Sequence, residues 1–436
     1  MAQVSTAEEI YTIIEDNDIE FVRLQFSDMT GAFREMEIGS DLLEYAFRKG
    51  LPFDSRLDAG SAGMDMIIRP DPRTFSIIPW KQEKGRTARL ICEIQAPDGS
   101  PYEGCPRYTL KKAVRNAFRD GLTMQVTPSV SFFLYEIKDG KVVAETPDGN
   151  GLYAFQPAGR AEDVRRDIFR TLRNMDIEIE SSNRGQASGQ YEFVLKTSGC
   201  LRAADNIMTL KFVAGAIARI YGMQAVFMPK PAAGQPGSGM PLAVSLFRGE
   251  DNIFFRRDGD MMLSEEALSF IAGLLGHAAA MTPVTNPVIN SYKRFVPGTA
   301  DPYEISWSAS ETDTLVRIPA RRGKNTQAEL RSPDAACNPY LALSLILACG
   351  CDGIAKKANP GAPAEMRKAN PSGQAQAGIL PPTLSDALRA FRADPCVTEA
   401  LGPVIPGNLI RKAEKEIAEF NACVHQWEID KYIRSL

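Results

Sequence analysis

A lysine set between two prolines and followed by three glycines is the stretch richest in chemistry. Residues Ala225 to Phe247 read AVFMPKPAAGQPGSGMPLAVSLF. The apolar run ending at Met228 predicts a buried strand. Pro229-Lys230-Pro231 must stop it, because the prolines fix the backbone and remove two donors. Met240 to Phe247 predicts a return strand. Lys230 and the backbone N–H groups around Gly234, Gly237 and Gly239 would then hold an anionic ligand. An ordinary hairpin with a long turn accounts for the same residues equally well, since glycine-rich loops are weak signals.

Other reactive groups are sparse. The chain has two histidines, His277 in a helical pattern from Leu263 to Ala280 and His425 close to Trp427. Neither neighbours the loop in sequence, which argues against a histidine-based metal site or catalytic triad. The eight cysteines are scattered, and Cys349 and Cys351 fall inside an apolar helical run. They read as reduced, buried thiols of a cytoplasmic protein.

A chain of 436 residues predicts two domains with material for a large core. A net charge of −4 and a pI near 5.6 give no general attraction to nucleic acid or acidic lipid. The opening MAQVSTAEEI lacks a basic segment followed by an apolar core, so no signal peptide is expected. The apolar run Leu341 to Cys349 is too short to span a bilayer.

The elements that must position the loop follow from periodicity. Thr6 to Asp16 predicts a helix capped by Ser5 or Thr6, and Glu20 to Phe26 and Phe33 to Ile38 predict strands around Gly31. Strands Thr74 to Trp80 and Thr87 to Ile94 would complete a small first domain, residues 1–104, ending in the Pro/Gly-rich stretch Pro97 to Cys105. The second domain, residues 105–436, opens with an amphipathic helix, Pro106 to Asp120. Val126 to Glu136 predicts a strand, and helices are expected at Glu162 to Asn174, Arg202 to Tyr221, Leu263 to Met281 and Asn338 to Ala348. Lys356 to Pro381 reads as a surface loop, and Ile410 to Leu436 as a terminal amphipathic helix.

Phe227-Met-Pro-Lys-Pro231 and Gly237-Ser-Gly-Met240 resemble the signature of the glutamine synthetase family. So do Asn290-Ser-Tyr-Lys-Arg-Phe-Val-Pro-Gly298, Val316-Arg-Ile-Pro319 and the run from Ala328 to Leu341. The resemblance runs nearly end to end. It implies an α+β fold, with a small N-terminal β-grasp domain before a larger domain of helices and a curved antiparallel sheet or half-barrel. It also implies ATP and magnesium or manganese as cofactors, and a ring homo-oligomer, a dodecamer of two hexamers, with each site between neighbouring subunits. Residue by residue, Gly237, Arg294 and Arg331 fall on substrate positions. Lys230, Ser245 and Arg317 fall on nucleotide or phosphate positions, and Asp54 matches the ammonium-site aspartate.

The family pattern is broken where its chemistry lies. Phosphoryl transfer to a glutamate carboxylate depends on divalent ions, held in the family by five glutamates and one histidine. Glu192 and Glu329 match two of those ligands; Ser129, Ser131, Arg184 and Pro241 occupy the other four positions. A serine supplies no compensating charge, proline supplies no ligand, and arginine repels the cation. Ala300 stands at the proton-accepting glutamate, Thr312 at a phosphate-contacting arginine, Gln327 at an arginine near the base, and Ala243 at a second histidine. The expected protein is a glutamine synthetase relative with lost or reduced ligase activity. It would act as a pseudoenzyme, a sensor of a glutamate- or glutamine-like molecule, or a partner of a catalytic paralogue. The alternative is an active carboxylate–amine ligase with a rebuilt metal site. Arg184 is expected to stand in for the metal between Glu192 and Glu329, while Asp301 and Glu304 are expected to point away from the site.

Overall fold

The computed structural model describes residues 6–54, 65–80, 85–143, 159–296, 301–311, 313–369 and 378–435. The first helix, α1 (Ala7–Asp16), starts where expected. Thr6 Oγ1 accepts from the Glu9 N–H and the Glu9 carboxylate accepts from the Thr6 N–H, a reciprocal cap.

Six strands follow around the short helix α2 (Leu43–Lys49): β1 (Ile19–Ser27), β2 (Phe33–Gly39), β3 (Leu51–Asp54), β4 (Asp65–Pro70), β5 (Ser76–Ile77) and β6 (Arg86–Gln95). Their order is β2-β1-β6-β4-β3, with β5 on β6; β1 and β6 run parallel and the other pairs antiparallel. Val22, Leu24, Ile68 and Leu90 fill one face of this sheet together with Ile10 of α1. The strand expected at Thr74 to Trp80 shrinks to β5. Asp71 accepts from the Arg73 N–H and holds Pro72–Thr74 as a 3-10 turn, using up the first part of that segment.

After α3 (Pro106–Arg119) comes the 16-residue strand β7 (Thr123–Lys138), on which the second sheet is built. Its partners are β8 (Lys141–Val143), β10 (Gln190–Leu195), β11 (Ser198–Gly199), β12 (Met223–Val226) and β13 (Leu242–Arg248). β9 (Ile179–Arg184) extends the sheet beyond β10, and β14 (Asp251–Asn252) pairs with β13. The path is completed by β16 (Trp307–Ser308), β17 (Val316–Arg317) and β18 (Ala328–Leu330), in the order β16-β17-β18-β13-β7-β10-β9. A separate two-stranded piece joins β15 (Glu304–Ile305) to β19 (Gly378–Ile379).

The hairpin reading of the Lys230 loop fails here. β12 pairs with β7 at residues 133–136 and β13 pairs with β7 at residues 123–128, so the two strands lie end to end along one long neighbour. The glycine-rich segment bridges the gap between them. Ser129 N–H donates to Pro241 O and Ser131 N–H to Gly239 O, each at 3.0 Å.

Helices α4 (Arg160–Asn174), α5 (Cys200–Ile220), α6 (Glu265–Gly276), α7 (Ala278–Thr285) and α8 (Pro339–Ala355) pack with α3 around the second core. The single helix expected from Leu263 to Met281 is broken at His277, where α6 and α7 meet at 70°. Pro283 cannot bond the Ala279 carbonyl, and Thr282 Oγ1 takes that acceptor instead at 2.7 Å. The expected surface loop contains α9 (Ala364–Ala369), and after β19 the chain forms α10 (Leu384–Ala393) and α11 (Pro395–Ala400). The terminal helix divides into α12 (Ile405–Ala422) and α13 (Gln426–Tyr432). Among the described residues no single helix is long and apolar enough to cross a membrane.

Arg107 of α3 ties the first sheet to helix α5. Its buried guanidinium reaches Asp71 at 2.9 Å, Glu93 of β6 at 2.8 Å and Asp205 of α5 at 3.0 Å. Tyr340 of α8 donates to Asp205 at 2.6 Å, extending the network into the helical layer.

Candidate functional site

The matched residues converge on the middle of β7 and the strands beside it. β10 runs antiparallel to β7 with Glu192 opposite Ser131 and Val194 opposite Ser129. On the other side, Ala243 of β13 lies opposite Glu329 of β18, and Arg317 of β17 lies opposite Glu329 in turn. Side chains directly opposite in a ladder share a face, so Glu192 pairs with Ser131 in one row, and Arg317, Glu329 and Ala243 align with Thr127 in a second row four residues away along β7.

The two surviving acids are engaged by protein groups. Ser129 Oγ donates to Glu192 Oε1 at 2.5 Å. Glu329 is flanked by Arg331 Nε at 3.5 Å and Arg317 Nη1 at 3.9 Å. Burial pushes the Glu329 carboxyl up; Arg317 and Arg331 pull it down less strongly, and the nearby Glu192 charge adds to the rise. The neutralising cations of Glu329 are therefore Arg317 and Arg331, where Arg184 was expected. Arg184 is buried at the end of β9, opposite Tyr191 rather than Glu192.

Arg294 is 1% exposed beneath the glycine loop. A Cβ on Gly237 would meet the Pro229 carbonyl at 2.4 Å and Arg294 Cγ at 2.9 Å, so glycine is what lets the loop close over this arginine. Gln190 Nε2 donates to Gly237 O at 2.9 Å and holds the loop from below. Asp301 Oδ1 accepts from Arg294 Nε at 3.1 Å and from Nη2 at 2.6 Å, while Nη1 donates to Ser332 O at 3.1 Å. The expectation that Asp301 points elsewhere is thus overturned. Its carboxylate engages the guanidinium assigned by resemblance to a substrate carboxylate. An acid seven positions after the arginine was the only sequence signal for this, and nothing in periodicity predicts the turn between them.

The remaining assigned residues are spread more widely. Asn290 clamps the Lys230 backbone, accepting from its N–H at 2.7 Å and donating to its carbonyl at 3.1 Å. Ser245 is buried in β13 opposite Gln125. Gln327 donates to Thr127 Oγ1 at 2.8 Å. Asp54 is exposed at the end of β3, opposite Asp65 in the first sheet. Ala300 and Thr312 lie outside the described residues. One donor beside Glu329 is unclaimed: Arg331 Nη1 is buried and has no hydrogen-bond partner among the described residues.

A small six-stranded sheet thus precedes a larger sheet whose strands bring acids and arginines together. Residues 18–97 match the glutamine synthetase β-Grasp domain and residues 103–432 the glutamine synthetase catalytic domain. The chain belongs to the glutamine synthetase family. It is 40% identical over 444 aligned residues to glutamine synthetase of Methanosarcina mazei, covering 100% of this chain and 99% of that protein. Identity to glutamine synthetase of Thermus thermophilus is 40% over 440 residues, covering 98% and 99%. Among solved structures, GmaS in complex with ADP superposes with a TM-score of 0.88 at 29% identity, covering 97% of this chain and 98% of that one. GmaS without ligand gives 0.87 at 29% identity, covering 97% and 99%.

The family implies ATP and a divalent metal. Of the six mapped positions, two are carboxylates, one of them hydrogen-bonded to Ser129 and the other facing two arginines. Magnesium and manganese need anionic oxygens free to coordinate, and Pro241 and Ser131 supply none.

Proposed function

We propose that this member of the glutamine synthetase family has lost efficient metal-dependent ligase chemistry and instead binds a small anion in its cleft. The observation that carries this reading is the Ser129–Glu192 hydrogen bond, made by a serine at a metal-ligand position to a surviving ligand. The unclaimed Nη1 of Arg331 supports the anion, because a buried guanidinium nitrogen without an acceptor is costly until one arrives. A glutamate- or glutamine-like carboxylate suits a planar guanidinium. The proposal extends to a cytoplasmic ring homo-oligomer of two stacked hexamers, alone or with a catalytic paralogue. The test is magnesium- and manganese-dependent γ-glutamyl hydroxamate formation on pure protein, with ATP hydrolysis measured against a panel of amines. Silence from folded protein, with calorimetric binding of glutamate or glutamine, supports the proposal; robust turnover overturns it.

A second reading, an active carboxylate–amine ligase with a rebuilt metal site, is favoured by full-length identity to glutamine synthetases and by the likeness to an ADP-bound GmaS. ATP hydrolysis that appears only with one amine would select it.

A further inference from the structure

Away from the cleft, three helical segments bring two thiols, an imidazole and two carboxylates to one point. His277 stands at the α6–α7 bend, Cys349 and Asp352 lie one turn apart on α8, and Asp394 and Cys396 lie at the start of α11. The ligand atoms of His277, Cys349 and Cys396 all lie within 4.8 Å of one another. Asp394 Oδ2 is 2.6 Å from His277 Nδ1, and Asp352 Oδ2 is 3.0 Å from Nε2. Glycine makes this convergence attainable: a Cβ on Gly273 would stand 2.1 Å from the Cys349 carbonyl, so α6 touches α8 backbone to backbone one turn before His277.

We propose that His277, Cys349 and Cys396 form a binding site for a thiophilic divalent cation of the zinc class, with Asp394 or Asp352 as fourth ligand. Zinc binds thiolates at about 2.3 Å and imidazole at about 2.0 Å, which sets tetrahedral ligand atoms roughly 3.8 Å apart. The cluster must contract by about 1 Å at most from its present spacing to meet that geometry. One ring nitrogen coordinates, and the other keeps its carboxylate partner as an N–H donor, the arrangement that fixes a metal-bound imidazole. The carboxylate released by the coordinating nitrogen is then beside the ion.

Charge favours the same occupant: the Asp394 and Asp352 carboxylates flank the imidazole, and Lys356 lies 2.7 Å from Asp352. Entry is open from the Cys396 side, which is half-buried, whereas Cys349 is fully enclosed. The donor set is sulfur-rich and so distinct in chemistry from the oxygen ligands of the family cleft.

The experiment uses full-length protein, reduced and stripped with chelator, then titrated with cobalt(II) alone. The expected result is one ion per chain, with a near-ultraviolet thiolate-to-cobalt charge-transfer band that zinc bleaches. Cys396→Ser should remove the band, and Cys423→Ser, at the exposed cysteine, should leave it intact. Should Cys396→Ser not fold, zinc-edge X-ray absorption of the wild-type protein decides, with two sulfur ligands expected. Absence of the band in folded wild type overturns the site. So does its survival in Cys396→Ser, or a Cys349–Cys396 disulfide with no metal uptake on reduction.

Discussion

Ser129 Oγ donates to Glu192 Oε1 at 2.5 Å, so a residue at one lost ligand position occupies an oxygen of a retained one. A hydrogen bond to a charged acceptor in a half-buried setting contributes about 1.5–3 kcal/mol. Ser129→Ala should therefore lower stability by about 1–2 kcal/mol. Chemical denaturation with an unchanged m-value would show it; an unaltered midpoint would remove the bond from the account.

Arg331 and Arg317 stand against Glu329 where the sequence pointed to Arg184. Removing one member of a buried charge pair costs about 3–5 kcal/mol, because the other charge is stranded. Arg331→Ala should cost about 2–3 kcal/mol, toward the low side because Arg317 remains. Arg331→Ala combined with Glu329→Ala should recover much of the loss. A double mutant no more stable than Arg331→Ala would mean the two side chains are not coupled.

Much of the fold and of the cleft is legible in the sequence. Ser129, Ser131, Glu192, Pro241 and Glu329 stand out through neighbouring residues that match the family, and fixed strand register sets Glu192 opposite Ser131 and Glu329 opposite Ala243. Asp301 was expected to point away because its meeting with Arg294 depends on the path of a turn, which no periodicity encodes. The hairpin stays open as an alternative in the sequence because nothing in Ala225 to Phe247 shows that β7 is long enough to pair with both flanking strands. His277, Cys349 and Cys396 were read singly as structural residues. Their distances along the chain carry no spacing signal, and only the α6–α7 bend and the Gly273 contact bring them together.

Arg107 gives the first sheet and α5 a pH-sensitive link. Burial raises the Asp71 carboxyl, but hydrogen bonds from Arg73 and Arg107 and the Arg107 charge outweigh it and bring the group from 3.8 to about 2. A carboxyl lower in the folded state stabilises the fold fully above the unfolded value and loses that contribution as the pH falls toward the folded one. Stability should accordingly drop by about 2 kcal/mol between pH 4 and pH 2 through this group. Asp71→Asn should flatten that part of the stability curve while lowering the plateau near neutrality. The check is urea denaturation at a series of pH values; an equally steep acid loss in Asp71→Asn would assign it to other carboxylates.

Asp301 competes with any anion for Arg294. Its carboxylate takes two guanidinium donors of a side chain only 1% exposed, and an amide in its place keeps the shape without the charge. Asp301→Asn weakens that internal bond by about 1–2 kcal/mol, and 1.4 kcal/mol is a tenfold change in affinity. Glutamate should then bind about tenfold more tightly, as read by calorimetry, with a smaller gain for uncharged amide analogues lacking the carboxylate. Arg331→Met in the same background should reverse the gain if the anion bridges both arginines. Unchanged affinity in Asp301→Asn would place the anion wholly on the Arg331 side of the cleft, away from Arg294.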